Sequence, residues 1–265
     1  MLEINGISKT FNPGTINEKK ALNRVSLKLN EGDFVTVIGG NGAGKSTLLN
    51  MIAGTWFPDE GSIFIAGHEI TKMPEFRRAE FLGRVFQDPM LGTAATMRID
   101  ENLAIAARRG KRRGLHVGIT SREREGYREL LKTLDLGLED RLTSKVGLLS
   151  GGQRQALTLL MASLRKPKLL LLDEHTAALD PKTAAKVLEK TEEIVTRDNL
   201  TTLMITHNMK DAIVHGNRLI MMDKGNIILD ISGEEKKSLT VDDLLRRFAS
   251  ASGEELNNDR MILTK

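Results

Sequence analysis

The stretch FVTVIGGNGAGKSTLL, Phe34 to Leu49, decides the fold of this 265-residue chain. Its unbroken apolar start is typical of a buried strand, and its end predicts a helix over Lys45 to Ala53. Between the two, Gly39-x4-Gly44-Lys45-Ser46 matches the phosphate-binding P-loop. Glycines let backbone N–H groups surround phosphate oxygens, and the helix N-terminus favours the same anion. The stretch therefore predicts a nucleotide site between a strand and a helix.

Two side chains of this loop carry specific chemistry. Lys45 is predicted to bridge the β- and γ-phosphates, and Ser46 to offer its hydroxyl to Mg²⁺. The loop residues predicted to contact the nucleotide are Gly39, Gly40, Asn41, Gly42, Ala43, Gly44, Lys45, Ser46 and Thr47.

A second apolar strand, Leu169 to Leu172, ends in two carboxylates, Asp173 and Glu174. Ligands of α/β proteins bind at the carboxyl ends of the parallel strands. Asp173 is predicted to hold Mg²⁺ through water, and Glu174 to polarise the water that attacks the γ-phosphate. An apolar strand ending in Asp-Glu is usually structural, but beside a P-loop the catalytic interpretation is favoured.

Two further strand ends point to the same site. TTLMITH ends on His207, which is predicted to contact the γ-phosphate and orient Glu174. RVFQ ends on Gln87, which is predicted to reach Mg²⁺ and the attacking water. With Lys45, these residues form the predicted catalytic set.

The order of the patterns predicts an α/β fold with a P-loop NTPase core. Strands separated by helices imply parallel crossovers, and the alternating early segments LEINGIS and VSLKLNEGD predict an antiparallel edge subdomain. Mostly helical patterns predict a helical subdomain inserted at about residues 88–166. We expect one domain over 1–240, followed by a C-terminal helix and polar tail over 241–265.

Composition excludes some classes of function. The chain has no cysteine, which removes thiol chemistry, and one Trp and one Tyr supply no stacking platform for nucleic acid. The net charge of +4 is mild, and no apolar run reaches the ~20 residues of a membrane span. No signal peptide is evident, so we expect a soluble, cytosolic chain without a nucleic-acid partner.

One cluster of basic residues stands out: Arg108, Arg109, Lys111, Arg112 and Arg113, interleaved with glycine. A solvated loop is the favoured interpretation, and a contact with a partner or a lipid headgroup is the alternative.

Six motifs in order, GGNGAGKST, Gln87, LSGGQ, LLLLDE, Ala178-Leu179-Asp180 and His207, resemble the ATP-binding subunit of ABC transporters over residues 1 to 232. The resemblance implies ATP and Mg²⁺ as cofactors. It also implies a head-to-tail homodimer in which LSGGQ of one copy closes over ATP held by the P-loop of the other. The residues implied to bind ATP in trans are Ser150, Gly151, Gly152 and Gln153.

The resemblance assigns three other positions. Phe11 is implied to stack on adenine, with a core phenylalanine as the alternative, and Asp180 to touch the partner copy. The segment from Asp88 to Asn102 corresponds to the part that meets the membrane subunit, so we expect Asp100 and Glu101 on a docking surface. His175 departs from the family pattern, since many relatives have proline there, which leaves the conformation of this loop open.

The favoured function is an ATPase that powers a multi-chain ABC transporter, an importer of a small solute such as an amino acid. The implied partners are integral membrane permease subunits and an extracytoplasmic substrate-binding protein, which place the chain at the cytoplasmic face of the membrane. The alternatives are an efflux or lipoprotein-release ATPase, a nucleic-acid-associated ABC ATPase and a non-hydrolysing nucleotide switch. Glu174 and His207 argue against the last of these.

Overall fold

Two β-sheets carry the part of the chain that the computed structural model describes, residues 1–111, 114 and 118–252. The strands are β1 Leu2–Phe11, β2 Lys19–Leu29, β3 Phe34–Gly39, β4 Glu60–Ile65, β5 His68–Glu69, β6 Leu82–Val85, β7 Leu169–Asp173, β8 Thr201–Ile205, β9 Arg218–Asp223 and β10 Asn226–Ser232. The larger sheet has the order β10-β9-β3-β8-β7-β6, and all its pairs are parallel except β10 with β9. The smaller sheet is antiparallel, in the order β2-β1-β4-β5.

The helices are α1 Lys45–Ala53, α2 Glu75–Arg78, α3 Ile99–Ala107, α4 Ser121–Lys132, α5 Gly151–Ser163, α6 Pro181–Asp198, α7 Met209–Val214, α8 Gly233–Lys237 and α9 Val241–Ser252. Three of them, α3, α4 and α5, lie between β6 and β7. They fall within the stretch predicted to be a helical subdomain, whose boundaries stay a prediction, as do those of the C-terminal unit.

The run of leucines in β7 is explained by burial on both faces of the sheet. Leu169 and Leu171 belong to a core shared with the smaller sheet and α1, whereas Leu170 and Leu172 face the core formed by α3, α5 and α6. A parallel strand covered on both sides is apolar throughout rather than alternating. This double burial fixes the end of β7, and therefore Asp173, inside the molecule.

Two strands differ in extent from the sequence expectation. β2 begins at Lys19 rather than at Val25, because the backbone pairing of β2 with β1 extends to Lys19, which lies opposite Phe11. β6 ends at Val85, so Gln87 lies beyond the sheet instead of ending a strand.

The solvated-loop interpretation of the basic cluster is wrong for two of its members. Arg108 donates to Ala104 O at 3.0 Å and pairs with Glu123 at 3.0 Å, and Arg109 donates to Ala162 O at 3.0 Å. Both arginines therefore fasten the end of α3 to α4 and α5, a contact that no local charge pattern reveals. Lys111 is exposed, and Arg112 and Arg113 lie outside the described residues.

Candidate functional site

The loop between β3 and α1 needs glycine at positions where the backbone turns against its neighbours. Gly39 has φ +150°, and a Cβ there would lie 2.2 Å from Met222 O. Gly44 has φ +103°, and a Cβ there would lie 2.6 Å from Ala21 O. Because both positions exclude side chains, the loop packs closely against the strands beneath it.

Lys45 is the first residue of α1, and its side chain folds back over the preceding loop. Its Nζ donates to Gly39 O at 2.7 Å and to Gly40 O at 3.2 Å, and the residue is only 5% exposed. Burial lowers the pKa of Lys45, while the nearby carboxylates of Glu174 and Asp173 act in the opposite direction. The ammonium group and the two carboxylates therefore share one partly desolvated region.

Glu174 and His207 are brought together from the ends of β7 and β8. His207 Nε2 lies 2.6 Å from Glu174 Oε1, and the Glu174 N–H donates to Ile205 O at 3.0 Å. Glu174 has φ +48°, an unusual conformation for a non-glycine residue that functional sites often contain. The turn after β7 therefore places the Glu174 carboxylate next to His207, just beyond the end of β8.

Asp173 has a cationic neighbour that the sequence motifs do not reveal. Arg84 of β6 places its Nη2 3.4 Å from Asp173 Oδ2. Burial raises the pKa of Asp173, and the charge of Arg84 opposes that rise. The signal in the sequence is a charged residue in the short strand β6, which ends two residues before Gln87.

A cavity of about 370 Å³ brings Lys45, Glu174 and His207 together. It is lined by Phe11, Lys19, Ala21, Asn41, Gly42, Ala43, Gly44, Lys45, Ser46, Thr47, Gln87, Glu174 and His207. Lys19 and Ala21 were not predicted; they share one face of β2, since successive residues of a strand point to opposite sides. Phe11 stands edge-on to Trp56, with ring centroids 5.0 Å apart. Most of the residues predicted to bind ATP thus line one cavity, whereas Gly39, Gly40 and Asp173 are not part of its wall.

The LSGGQ residues lie outside this cavity; Ser150 and Gly151 are exposed, whereas Leu149 and Gly152 are buried. Ser150 is the N-cap of α5: its Oγ accepts from Gln153 N at 3.3 Å, and its own N–H donates to Gln153 Oε1 at 3.2 Å. Gly152 fits only glycine, because a Cβ there would lie 2.1 Å from Thr183 Cγ2. The four residues predicted to bind ATP in trans do not line the cavity described above: Ser150, Gly151, Gly152 and Gln153. Within one chain, the two loops predicted to bind phosphate do not line the same cavity.

A sequence profile described as ABC transporter matches residues 22–177, more than half of the chain. The chain belongs to the ABC transporter family. It is an ATP-binding cassette, the subunit that hydrolyses ATP to drive transport, which confirms the predicted enzyme class.

Similar proteins span nearly the whole cassette. A tyrosine transport ATP-binding protein of Clostridioides difficile is 46% identical over 252 residues, 95% of this chain and 100% of that protein. The phosphonates import ATP-binding protein PhnC of Treponema denticola is 34% identical, over 87% of this chain and 89% of that one.

Solved cassettes have the same fold. A dimeric structure of a post-hydrolysis state of the ATP-binding cassette MJ0796 bound to ADP and Pi matches with TM-score 0.74 at 30% identity, over 88% of this chain and 98% of that chain. The ADP conformation of the cassette MJ1267 matches with TM-score 0.76 at 29% identity, over 94% and 98%. The predicted α/β fold with a P-loop core is confirmed.

The loop after Glu174 is fixed by a buried histidine. His175 Nε2 lies 3.0 Å from Thr191 Oγ1 on α6, and burial lowers the pKa of His175 to about 4. The ring is therefore neutral near pH 7. Asp180, further along, is exposed and caps α6 by accepting from Thr183 N at 3.1 Å. This cassette thus has a neutral, buried histidine directly after Glu174.

The expectation that Asp100 lies on a docking surface is wrong. Its side chain is 0% exposed, and it forms ion pairs of 3.1 Å with Arg98 and with Arg124. Glu101 accepts from the Arg98 N–H at 2.8 Å and so caps α3. These two acidic groups stabilise the start of α3. Helical periodicity alone does not reveal their contacts.

Other residues of the same region do reach the surface. Leu91, within the segment Asp88 to Asn102, is 70% exposed, and Ile105, which follows that segment on α3, is 49% exposed. Ile105 lines a groove of about 420 Å³ between α3 and α4. The groove is walled by Met97, Arg98, Glu101, Ala104, Ile105, Arg108, Gly118, Ile119 and Arg124. No helix among residues 1–111 and 118–252 is long and apolar enough to cross a membrane.

Proposed function

We propose that this cassette powers an importer of a small solute such as an amino acid. The similarity to a tyrosine transport ATP-binding protein, 46% identical over nearly the whole of both chains, supports this proposal most directly. The cassette would work with integral membrane permease subunits and an extracytoplasmic substrate-binding protein, which would hold it at the cytoplasmic face of the membrane.

The cavity supports the proposed roles at the nucleotide. Lys45 lines the cavity and donates to two loop carbonyls, and its ammonium group would move from them onto the β- and γ-phosphates of ATP. Phe11 would stack on adenine at the cavity wall that it forms. Glu174, held by His207, would accept the proton of the attacking water, and His207 would contact the γ-phosphate.

The donor set of the cavity fits Mg²⁺. Ser46 and Gln87 line the cavity and offer neutral oxygens, and Asp173, which precedes the cavity residue Glu174 at the end of β7, offers a carboxylate oxygen. Mg²⁺ is bound through few protein ligands together with water and substrate phosphates. Bound there, the ion would neutralise charge on the β- and γ-phosphates, while Asp173 would hold it through a water molecule.

The position of LSGGQ supports a homodimer. Ser150 caps an exposed helix N-terminus suited to a phosphate, yet it lies outside the cavity of its own chain. A second copy would bring its Ser150, Gly151, Gly152 and Gln153 over the bound ATP, with Asp180 beside the dimer contact.

Replacing Lys45 by alanine is expected to weaken nucleotide binding itself. The variant loses a charge-assisted contact worth about 1.5–3 kcal/mol, which is roughly a ten- to hundredfold loss of affinity. Calorimetry with Mg-ATP measures the change. Lys20→Ala is the control, because Lys20 is exposed on β2 outside the cavity wall. Unchanged affinity in Lys45→Ala would contradict the assigned role.

Placing aspartate at Leu91 and Ile105 is expected to uncouple the cassette from its permease. Both side chains are exposed in the free chain, so folding and basal ATP hydrolysis should change by less than about twofold. Burial of one leucine against a partner contributes about 1.5–3 kcal/mol, so coupled uptake should fall at least about tenfold. Val214→Asp is the matched control, since Val214 is also 70% exposed but lies on α7.

Proteoliposomes that contain the cassette, its permease and its binding protein test the function as a whole. ATP inside and radiolabelled tyrosine with the binding protein outside should give uptake that Lys45→Ala abolishes. If the variant with aspartate at Leu91 and Ile105 supports uptake at the wild-type rate, the permease contact lies elsewhere on the cassette. ATP-driven loss of solute from preloaded vesicles, without uptake, would contradict import.

A further inference from the structure

Arg84 lies at a junction of the elements that face the nucleotide cavity. Its Nη2 is 2.8 Å from Asn50 Oδ1 and 3.4 Å from Asp173 Oδ2, and its Nη1 is 3.3 Å from Thr55 Oγ1. The guanidinium carbon lies 4.5 Å from the ring centroid of Phe86. The side chain is 13% exposed, so these contacts fix it from several sides.

The topology explains why this side chain reaches so many elements. β6 is the neighbour of β7, and Arg84 is in register with Leu171, two positions before Asp173. Asn50 lies on α1, the helix that begins with Lys45. Arg84 therefore connects the P-loop helix to the carboxyl end of β7.

The chemistry of the contact favours arginine in particular. A planar guanidinium serves several acceptors and a ring face together, whereas a lysine ammonium is a point charge on a flexible stem. Its charge also offsets one of two adjacent carboxylates in a partly buried region. Arg84 contacts Oδ2 of Asp173 and leaves Oδ1 to other donors.

We propose that Arg84 is a positioning residue for Asp173, holding the carboxylate in the orientation in which it accepts from a water bound to Mg²⁺. This inference rests on the proposed nucleotide site. It predicts that the effect of Arg84 on the metal passes through Asp173 alone.

A double-mutant cycle with Arg84→Met, Asp173→Asn and the double variant tests this. For each protein, the affinity for a non-hydrolysable ATP analogue is measured in EDTA and in Mg²⁺, and the gain from Mg²⁺ is the readout. Arg84→Met should keep the affinity in EDTA within about twofold, because the P-loop is unchanged, and should reduce the gain at least about fivefold. In the Asp173→Asn background, Arg84→Met should change the gain by less than about twofold.

Two controls separate positioning from general stability. Arg218→Met removes an arginine of similar exposure that pairs with Asp230 on β10, and should leave the gain unchanged. Arg84→Gln keeps a donor for Asn50 without the charge, so it should reduce the gain from Mg²⁺ as Arg84→Met does. It replaces Arg84→Met in the cycle if the methionine variant folds poorly. Full recovery of the gain in Arg84→Lys would overturn the proposal, because charge alone would then suffice.

The outcomes distinguish this proposal from the nucleotide site on which it rests. Three results would overturn the role of Arg84 but leave the metal role of Asp173 in place. The effects of Arg84→Met and Asp173→Asn could be additive, Arg84→Met could lower the affinity in EDTA as much as the affinity in Mg²⁺, or it could increase the gain from Mg²⁺. An Asp173→Asn protein with the wild-type gain would overturn the metal role of Asp173, and with it that of Arg84.

Discussion

A Glu174→Gln cassette is expected to bind ATP normally and to lose steady-state hydrolysis by a factor of about 10²–10⁴. Glutamine keeps the size of the side chain and can still contact His207, which lies 2.6 Å from Glu174 Oε1. It cannot accept a proton from water. Binding depends on the P-loop and Lys45, which the change leaves intact.

The same variant should accumulate as a closed, ATP-bound dimer, because hydrolysis is the step that releases it. Phosphate release measures the first effect, and size-exclusion chromatography with and without ATP measures the second. Glu192→Gln is the matched control, since Glu192 also contacts a histidine, His215, at 3.0 Å but outside the cavity. Turnover of Glu174→Gln near the wild-type rate would refute the assignment of the general base.

Short motifs predicted the central part of the fold well. Gly39 and Gly44 occupy positions of the loop where a side chain would clash with the backbone, and the leucines of β7 belong to a strand buried on both faces. Such features are visible in sequence because backbone sterics and burial act on consecutive residues. The α/β fold and the family follow from them directly.

Contacts between distant segments were not predictable in the same way. Arg84 meets Asp173, Asp100 meets Arg124, and Arg109 meets the end of α5 through side chains whose reach no periodicity encodes. Each of these charged residues resembled a surface or strand residue in sequence. In the folded chain their contacts make them structural or positioning groups, and only the tertiary arrangement shows which partner each one has.

The central claim is that one ATP site is shared by two copies of the chain. The design combines Lys45→Ala in one copy with Ser150→Arg in the other, each nearly inactive as a homodimer. Arginine at Ser150 also removes an N-cap, which costs about 0.5–2 kcal/mol. Thr120→Arg controls for that loss, because Thr120 caps α4 with the same reciprocal hydrogen bonds to residue 123.

The most direct test is the amount of ATP occluded by an equal mixture of Lys45→Ala and Ser150→Arg chains. In a shared site, each mixed dimer contains one site with both faults and one intact site, built from the remaining Lys45 and the remaining Ser150. Random pairing should then restore about a quarter of the wild-type occlusion, while either variant alone gives almost none. No recovery in a mixture shown by mass spectrometry to contain mixed dimers would contradict the shared site.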